Sequence, residues 1–238
     1  MTSLKPVSGQ TLSYQVEEQL RAFIFSGAVR PSERMTETAL ASRLKVSRGP
    51  LREAIFRLIE DGLIVKEAYK SIRVRPTSVK ELRELTSMRL TLESFAFRQA
   101  WDKRTDADLA EIDARCARLV AAVEGEDRRE AILDREVAFH GWVFEMSGHS
   151  LLLASWRSLT PLLRFYLSIH QQKFGFHAFF AATAKEYSAL ARGDDLEAMQ
   201  RHLRGHLEMG LEKVVRSFDG DAPEDARLEE SQEKAVKE

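Results

Sequence analysis

Apolar residues recur along most of this chain at helical spacing, and only two short stretches alternate as strands do. From about Ser13 to Ser26, Val16, Leu20, Phe23 and Ile24 share one face, and Gly27 closes the helix. Pro31-Ser32 turns the chain into Met35 and a short helix capped by Thr36, with Leu40, Ala41 and Leu44 apolar. After the tight connection Lys45-Val46, a further helix starts at Ser47, whose hydroxyl can accept from a first-turn amide, while Pro50 is tolerated in that turn. Leu51, Ala54, Ile55, Leu58 and Ile59 form its apolar stripe, Arg48, Arg52 and Arg57 lie off it, and Gly62 ends it. Leu63 to Val65 and Ile72 to Arg75 read as two strands joined by a polar turn. Two short helices, a tight turn and a basic hairpin spell a winged helix-turn-helix.

Pro76-Thr77-Ser78 marks a boundary, because proline disfavours helix before it and Ser78 can cap the next helix. Helices are expected at roughly 78–102, 106–124, 127–147, 149–171, 176–192 and 195–217, broken at Arg104-Thr105, Gly125, Ser147-Gly148, Gly175 and Gly193-Asp194. Long helices with short breaks make an antiparallel bundle. The expected fold is mainly α: a winged-helix domain over 11–75 and an antiparallel all-helical bundle over 76–218, flanked by a flexible arm (1–10) and a disordered acidic tail (219–238).

Composition sharpens this picture. A chain of 238 residues that is 44% hydrophobic has room for two ordinary domains. Its net charge of −1 hides an asymmetry: residues 1–75 carry thirteen Lys/Arg against eight Asp/Glu, and residues 219–238 carry three against eight. The basic end holds the helix-turn-helix, as a phosphate-binding surface requires. A single cysteine, Cys116, leaves no internal disulfide and fits a reducing compartment. The start has no charged-then-apolar leader pattern, and Arg157, Arg164 and Lys173 interrupt the most apolar region, so a cytoplasmic chain that spans no membrane is expected.

Leu40-Ala41, the run Val46-Ser47-Arg48-Gly49-Pro50-Leu51-Arg52-Glu53-Ala54-Ile55 and the run Leu58-Ile59-Glu60-Asp61-Gly62-Leu63-Ile64 resemble the DNA-binding domain of GntR-family bacterial regulators. Gly49, Leu51 in place of valine, and Ser71 in place of a wing glycine depart from the usual form. The resemblance implies a homodimer on double-stranded DNA, with Arg48 and Arg52 reading bases beside Ser47 and Thr38. Arg43, Lys45 and the wing residues Lys70 and Arg73 would then hold phosphates, which set affinity rather than sequence choice. A two-fold dimer calls for an inverted-repeat operator.

In the bundle, Glu136 and His140 stand four apart on one helix face and could serve one cation. Glu136-Val137-Ala138-Phe139-His140 followed by Ser147-Gly148-His149 resembles the FCD effector-binding domain of the FadR subgroup, with Glu for Asp and His for Asn. The family's further metal-ligating histidines match His206 and fall near Thr183, which is no imidazole. Three readings stay open. Glu136, His140 and His206 hold one divalent ion of the zinc, nickel or manganese class, with water or His177 completing the shell. Alternatively, His140 and His206 bind the effector directly, or both only satisfy buried polar partners. Arg89 matches an arginine that in relatives reaches toward an acidic effector, the competing reading being an ion pair with Glu93 one turn on. His202 is expected at the surface, and Trp142, Trp156, Phe165 and Tyr166 in the core.

These features together suggest a ligand-responsive repressor of a metabolic operon that senses a small organic acid, and no enzyme. One alternative is a helical metalloenzyme with a DNA-targeting domain, for which the sequence offers no nucleophile or phosphate loop. The other is a DNA-binding protein without an effector, which leaves the large bundle unexplained.

Overall fold

The computed structural model describes residues 11–67, 71–125, 129–174 and 178–219. Lys70, His177, the N-terminal arm and all of the acidic tail after Asp219 lie outside the described residues. The chain divides into two compact units, Met1–Thr77 with Thr160–Ser168, and Ser78–Leu159 with Ile169–Glu238.

In the first unit, α1 (Leu12–Phe25) is capped by the Thr11 hydroxyl, which accepts from the Tyr14 amide at 3.2 Å. Strand β1 (Arg34–Thr36) leads into α2 (Glu37–Leu44), whose cap Thr36 accepts from the Ala39 amide. Lys45 ends α2 in the left-handed region at φ 53° and ψ 43° and turns the chain into α3 (Arg48–Glu60). Ser47 occupies the N-cap position of α3 but makes no side-chain capping bond. Of the two amides that a capping hydroxyl can reach, those of the second and third helical residues, one is missing here, because the third is Pro50. Leu51, Ala54 and Leu58 are fully buried where α3 packs on α1, whose inner face is Val16, Leu20 and Ile24. Burying a side chain of this size contributes about 1.5–3 kcal/mol.

An ion-pair network binds the same two helices. Glu17 takes Arg21 at 2.6 Å and Arg57 at 3.1 Å, and Arg21 also takes Asp61 at 2.6 Å. Arg57 therefore does not face outward as an unpaired cation. Gly62 closes α3 at φ 71°. Beyond it, β2 (Ile64–Lys66) and β3 (Ser71–Val74) form the expected hairpin, but the sheet has three strands in the order β1-β3-β2, all antiparallel. β1 pairs Arg34 with Arg73 and Thr36 with Ser71. Sequence reading missed this strand because its three residues contain one half-buried apolar side chain, Met35, between exposed neighbours.

The elements described from Ser78 onward are all helices. α4 (Val79–Ala100) is capped by Ser78, and a short 3₁₀ turn at Trp101–Lys103 precedes α5 (Asp106–Glu124). There follow α6 (Arg129–Met146), α7 (Ser150–Phe174), α8 (Ala178–Arg192) and α9 (Leu196–Asp219). One of them, α7, also carries Thr160–Ser168 of the first unit. Thr105 and Asp108 form a reciprocal capping box at the start of α5. α4 packs on α6 and α9, α5 on α6 and α8, and α8 on α9. Phe97, Ile112, Phe139, Phe144, Tyr187 and Leu203 fill the space between them. Among the described residues, no helix is long and apolar enough to cross a membrane.

Candidate functional site

Two surfaces collect the residues singled out by the sequence. The first is the outer face of the helix-turn-helix, where Thr38, Arg43, Lys45, Ser47, Arg48 and Arg52 are all exposed. Arg48 opens α3 and makes no hydrogen bond or ion pair among the described residues. Arg52, one turn on, gives its Nε to Glu37 Oε2 at 2.8 Å. Arg43 lies over the Phe23 ring, 4.7 Å from its centre. Arg73 is committed to the wing itself: its Nε donates to Glu67 at 2.6 Å and its Nη1 to the Ser32 carbonyl at 2.9 Å. Ser71 is buried, and its hydroxyl accepts from Arg34 at 3.0 Å.

The second is a polar cluster inside the helical unit, centred on Glu93 of α4, a residue considered from the sequence only as a partner for Arg89. Glu93 is fully buried. One of its oxygens accepts from Tyr187 of α8 and pairs with His140 Nδ1 of α6, both at 2.8 Å, and the other accepts from Arg89 Nε at 3.2 Å. The carboxylate thus receives three bonds from three helices. Burial works against its charge, but His140, Arg89 and the tyrosine hydroxyl hold its pKa at about 2. Because Arg89 is a permanent cation, Glu93 is ionised, and burial together with Arg89 lowers the pKa of His140.

Around this hub lie polar atoms with no partner. Arg89 Nη2, Glu136 Oε2 and His202 Nε2 are all buried and unbonded among the described residues. Glu136 sits one turn before His140 on α6, and burial, only partly offset by Arg89, raises its carboxyl to about 7. The His206 ring stacks on His140 at 5.5 Å and on His202 at 6.2 Å, and burial, with His140 and Arg89 beside it, presses its pKa well below the ordinary histidine value. His202 lies inside the unit with a side chain only 9% exposed, which corrects its expected surface position. A cavity of about 10 Å³ opens between Leu119, Phe139, His140, Thr183, Tyr187 and His206. That is room for roughly one water molecule. Thr183 therefore lines the space that His140 and His206 face.

Glu136, His140 and His206 do not gather as metal ligands. Among the described residues, no three His, Cys, Asp or Glu side chains are arranged to hold a metal ion. The physical reason is orientation: His140 and His206 are stacked with 22° between their planes, and imidazole lone pairs lie in the ring plane, so the rings turn faces rather than lone pairs to each other. Glu93 takes up His140 Nδ1, which leaves Nε2 as the only open nitrogen of that ring, and Arg89, ion-paired with the same carboxylate, adds a fixed positive charge that disfavours a divalent ion beside it. His149 is no ligand either, since its Nδ1 accepts from the Leu152 amide at the start of α7.

Residues 12–74 match the family of bacterial regulatory proteins of the gntR type, and residues 84–209 match the FCD domain, which alone accounts for more than half of the chain. The chain belongs to the GntR family of transcriptional regulators with an FCD domain. This GntR-family protein is 35% identical over 136 residues to the Nta operon transcriptional regulator of Aminobacter aminovorans, covering 57% of the present chain and 64% of that one. It is 26% identical over 163 residues to the gluconate operon transcriptional repressor of Bacillus licheniformis, covering 68% and 66% of the two chains. The match thus spans a little under two thirds of either relative's length. Among solved structures, E. coli McbR/YncC shares its fold with a TM-score of 0.71 at 22% identity, over 88% of this chain and 100% of that one.

Sequence reading located the arginine, the two histidines and Glu136, but not the hub. Glu93, Tyr187 and His202 carry no motif of their own in a single sequence. What could have flagged Glu93 is that it falls on the inward stripe of α4 with Leu82, Leu85, Ala96 and Phe97, where an unpaired carboxylate is untenable.

Proposed function

We propose that this GntR-family regulator binds an inverted-repeat operator as a cytoplasmic homodimer and represses a metabolic operon until a small organic acid enters the helical domain. The observation that carries the effector reading is the buried pair of unbonded atoms Arg89 Nη2 and Glu136 Oε2. Buried polar atoms are bonded in more than about nine cases in ten, so two orphans of complementary chemistry, close enough for Arg89 to act on the Glu136 carboxyl, suit a guest that supplies both bonds. A carboxylate accepts from the free guanidinium nitrogen, and a hydroxyl or protonated group on the same guest engages Glu136. The guest must bind the DNA-free form more tightly than the operator-bound form, or it shifts nothing. Arg48 and Arg52 read bases, and Arg43 and Lys45 neutralise phosphates. The repressor sense is that of the Bacillus licheniformis relative, a gluconate operon repressor by name.

The test starts with the full chain on a randomised DNA duplex library, followed by release of the selected duplex with a panel of small organic acids. An enriched inverted repeat, freed by one acid from the wild type and far less from Arg89→Gln, supports the reading. No enriched sequence, or full release from Arg89→Gln, overturns it.

A further inference from the structure

Arg52 differs from the other ion-paired arginines of the winged helix in how it is held. Arg57 and Arg73 have terminal nitrogens committed to Glu17, Glu53, Glu67 or the Ser32 carbonyl. Arg52 is held at Nε alone, by Glu37 at 2.8 Å, and makes no other polar bond among the described residues. The two partners are unequally placed: the Glu37 side chain is 15% exposed and that of Arg52 is 51% exposed. The anchor is inside the motif, and the cation reaches out of it.

A guanidinium is planar and carries its five N–H groups in a fixed fork. With Nε taken from the side, both terminal nitrogens remain, and they form the end of the fork that meets guanine O6 and N7 together. Glu37 also sets a negative charge beside the guanidinium, which disfavours a phosphate oxygen on that side. Because Glu37 is the first residue of α2 and Arg52 lies in α3, the packing of these two helices fixes the direction in which the fork points.

We propose that Glu37 is a positioning residue for operator choice, clamping Arg52 Nε so that both terminal nitrogens are presented to a guanine edge. This rests on the reading of Arg52 as a base reader. Glu37 touches no base in this scheme. It settles the rotamer of Arg52 before DNA arrives, so the arginine spends less of its binding energy on ordering itself and less time on the phosphate backbone.

The experiment uses the full chain, the randomised duplex library at fixed salt, and the variants Glu37→Ala, Glu37→Gln and Arg52→Ala, each also followed by thermal melting. Glu37→Ala is expected to weaken the guanine preference at the position flattened by Arg52→Ala by about tenfold, while total binding to random duplex holds or rises. Glu37→Gln keeps an acceptor at the same reach and is expected to retain most of the preference. If Arg52→Ala keeps the wild-type profile, the base-reader reading itself fails and the proposal goes with it. If Arg52→Ala flattens the profile and Glu37→Ala does not, Arg52 reads bases and the role of Glu37 is overturned. Equal losses in Glu37→Ala and Glu37→Gln, together with lowered melting, would make Glu37 a helix-end acid and overturn the proposal as well.

Discussion

Two buried glutamates show how far environment separates chemically identical groups. Glu93 is held at about 2 by its cationic and hydroxyl partners, so its stabilising contribution is complete above about 4.5 and drains away as pH falls toward 2. Glu136 runs the other way. Burial raises it from 4.5 to about 7, so the fold loses stability as pH climbs between those values and regains none above. The loss corresponds to about 3 kcal/mol. Glu136→Gln is therefore expected to stabilise the protein against urea by up to about 3 kcal/mol at pH 8 and by little at pH 4.5; a variant no more stable than wild type at pH 8 would contradict the assignment. The stacked imidazoles lead to a second expectation, that prolonged dialysis against a chelator leaves the melting temperature unchanged. A fall of several degrees that added zinc, nickel or manganese reverses would show that the rings do turn toward an ion. From sequence, Glu136 and His140 were legible as a pair because four-residue spacing fixes a common face. The partners of His140 were not, because Glu93 and Tyr187 meet it across helices whose relative rotation no local pattern encodes.

Helix ends repay comparison at the next scale. Thr105 caps α5 with a reciprocal box, whereas Ser47 stands at the same position of α3 with its hydroxyl unused. Thr105→Ala is thus expected to cost about 1 kcal/mol in chemical denaturation, and Ser47→Ala less than about 0.5 kcal/mol. Equal costs would mean that Ser47 does cap in solution. The helices of the second unit were legible almost to their ends because a capping residue or a glycine marks most of their breaks, as Ser78, Thr105 and Gly125 do. Strand β1 was not, since three residues with one inward side chain leave no period to detect, and its existence depends on β3, which arrives 37 residues later.

For the whole molecule, charge sets how the protein meets DNA before any base is read. The excess of cations in residues 1–75 over anions is spent unevenly, because Arg21, Arg57 and Arg73 are paired within the unit while Arg48 and Lys45 have no ion pair among the described residues. Lys45 is a clean probe of this field. Its left-handed backbone, at φ 53°, suits glycine, so Lys45→Gly removes the charge without straining the turn. The slope of log affinity against log salt for random duplex should fall by about one, with base preference unchanged. An unaltered slope would place Lys45 away from the backbone. Pro76 and the change of periodicity suggest a division into a winged helix and a helical domain, and the family matches over 12–74 and 84–209 follow the same order.

The cavity beside His140 and His206 holds about 10 Å³ of free space, and even a three-carbon acid displaces several times the volume of a water molecule. A guest that seats beside the two histidines finds too little room among the residues that line this cavity. It has to wait until the surrounding helices part, a step that belongs to the protein and runs at its own frequency. In a stopped-flow experiment the observed association rate should therefore stop rising with acid concentration and level off at that opening frequency, the same plateau for every acid that binds. The delay between a change in metabolite level and the release of DNA would then be timed by the breathing of the bundle, not by the supply of the metabolite.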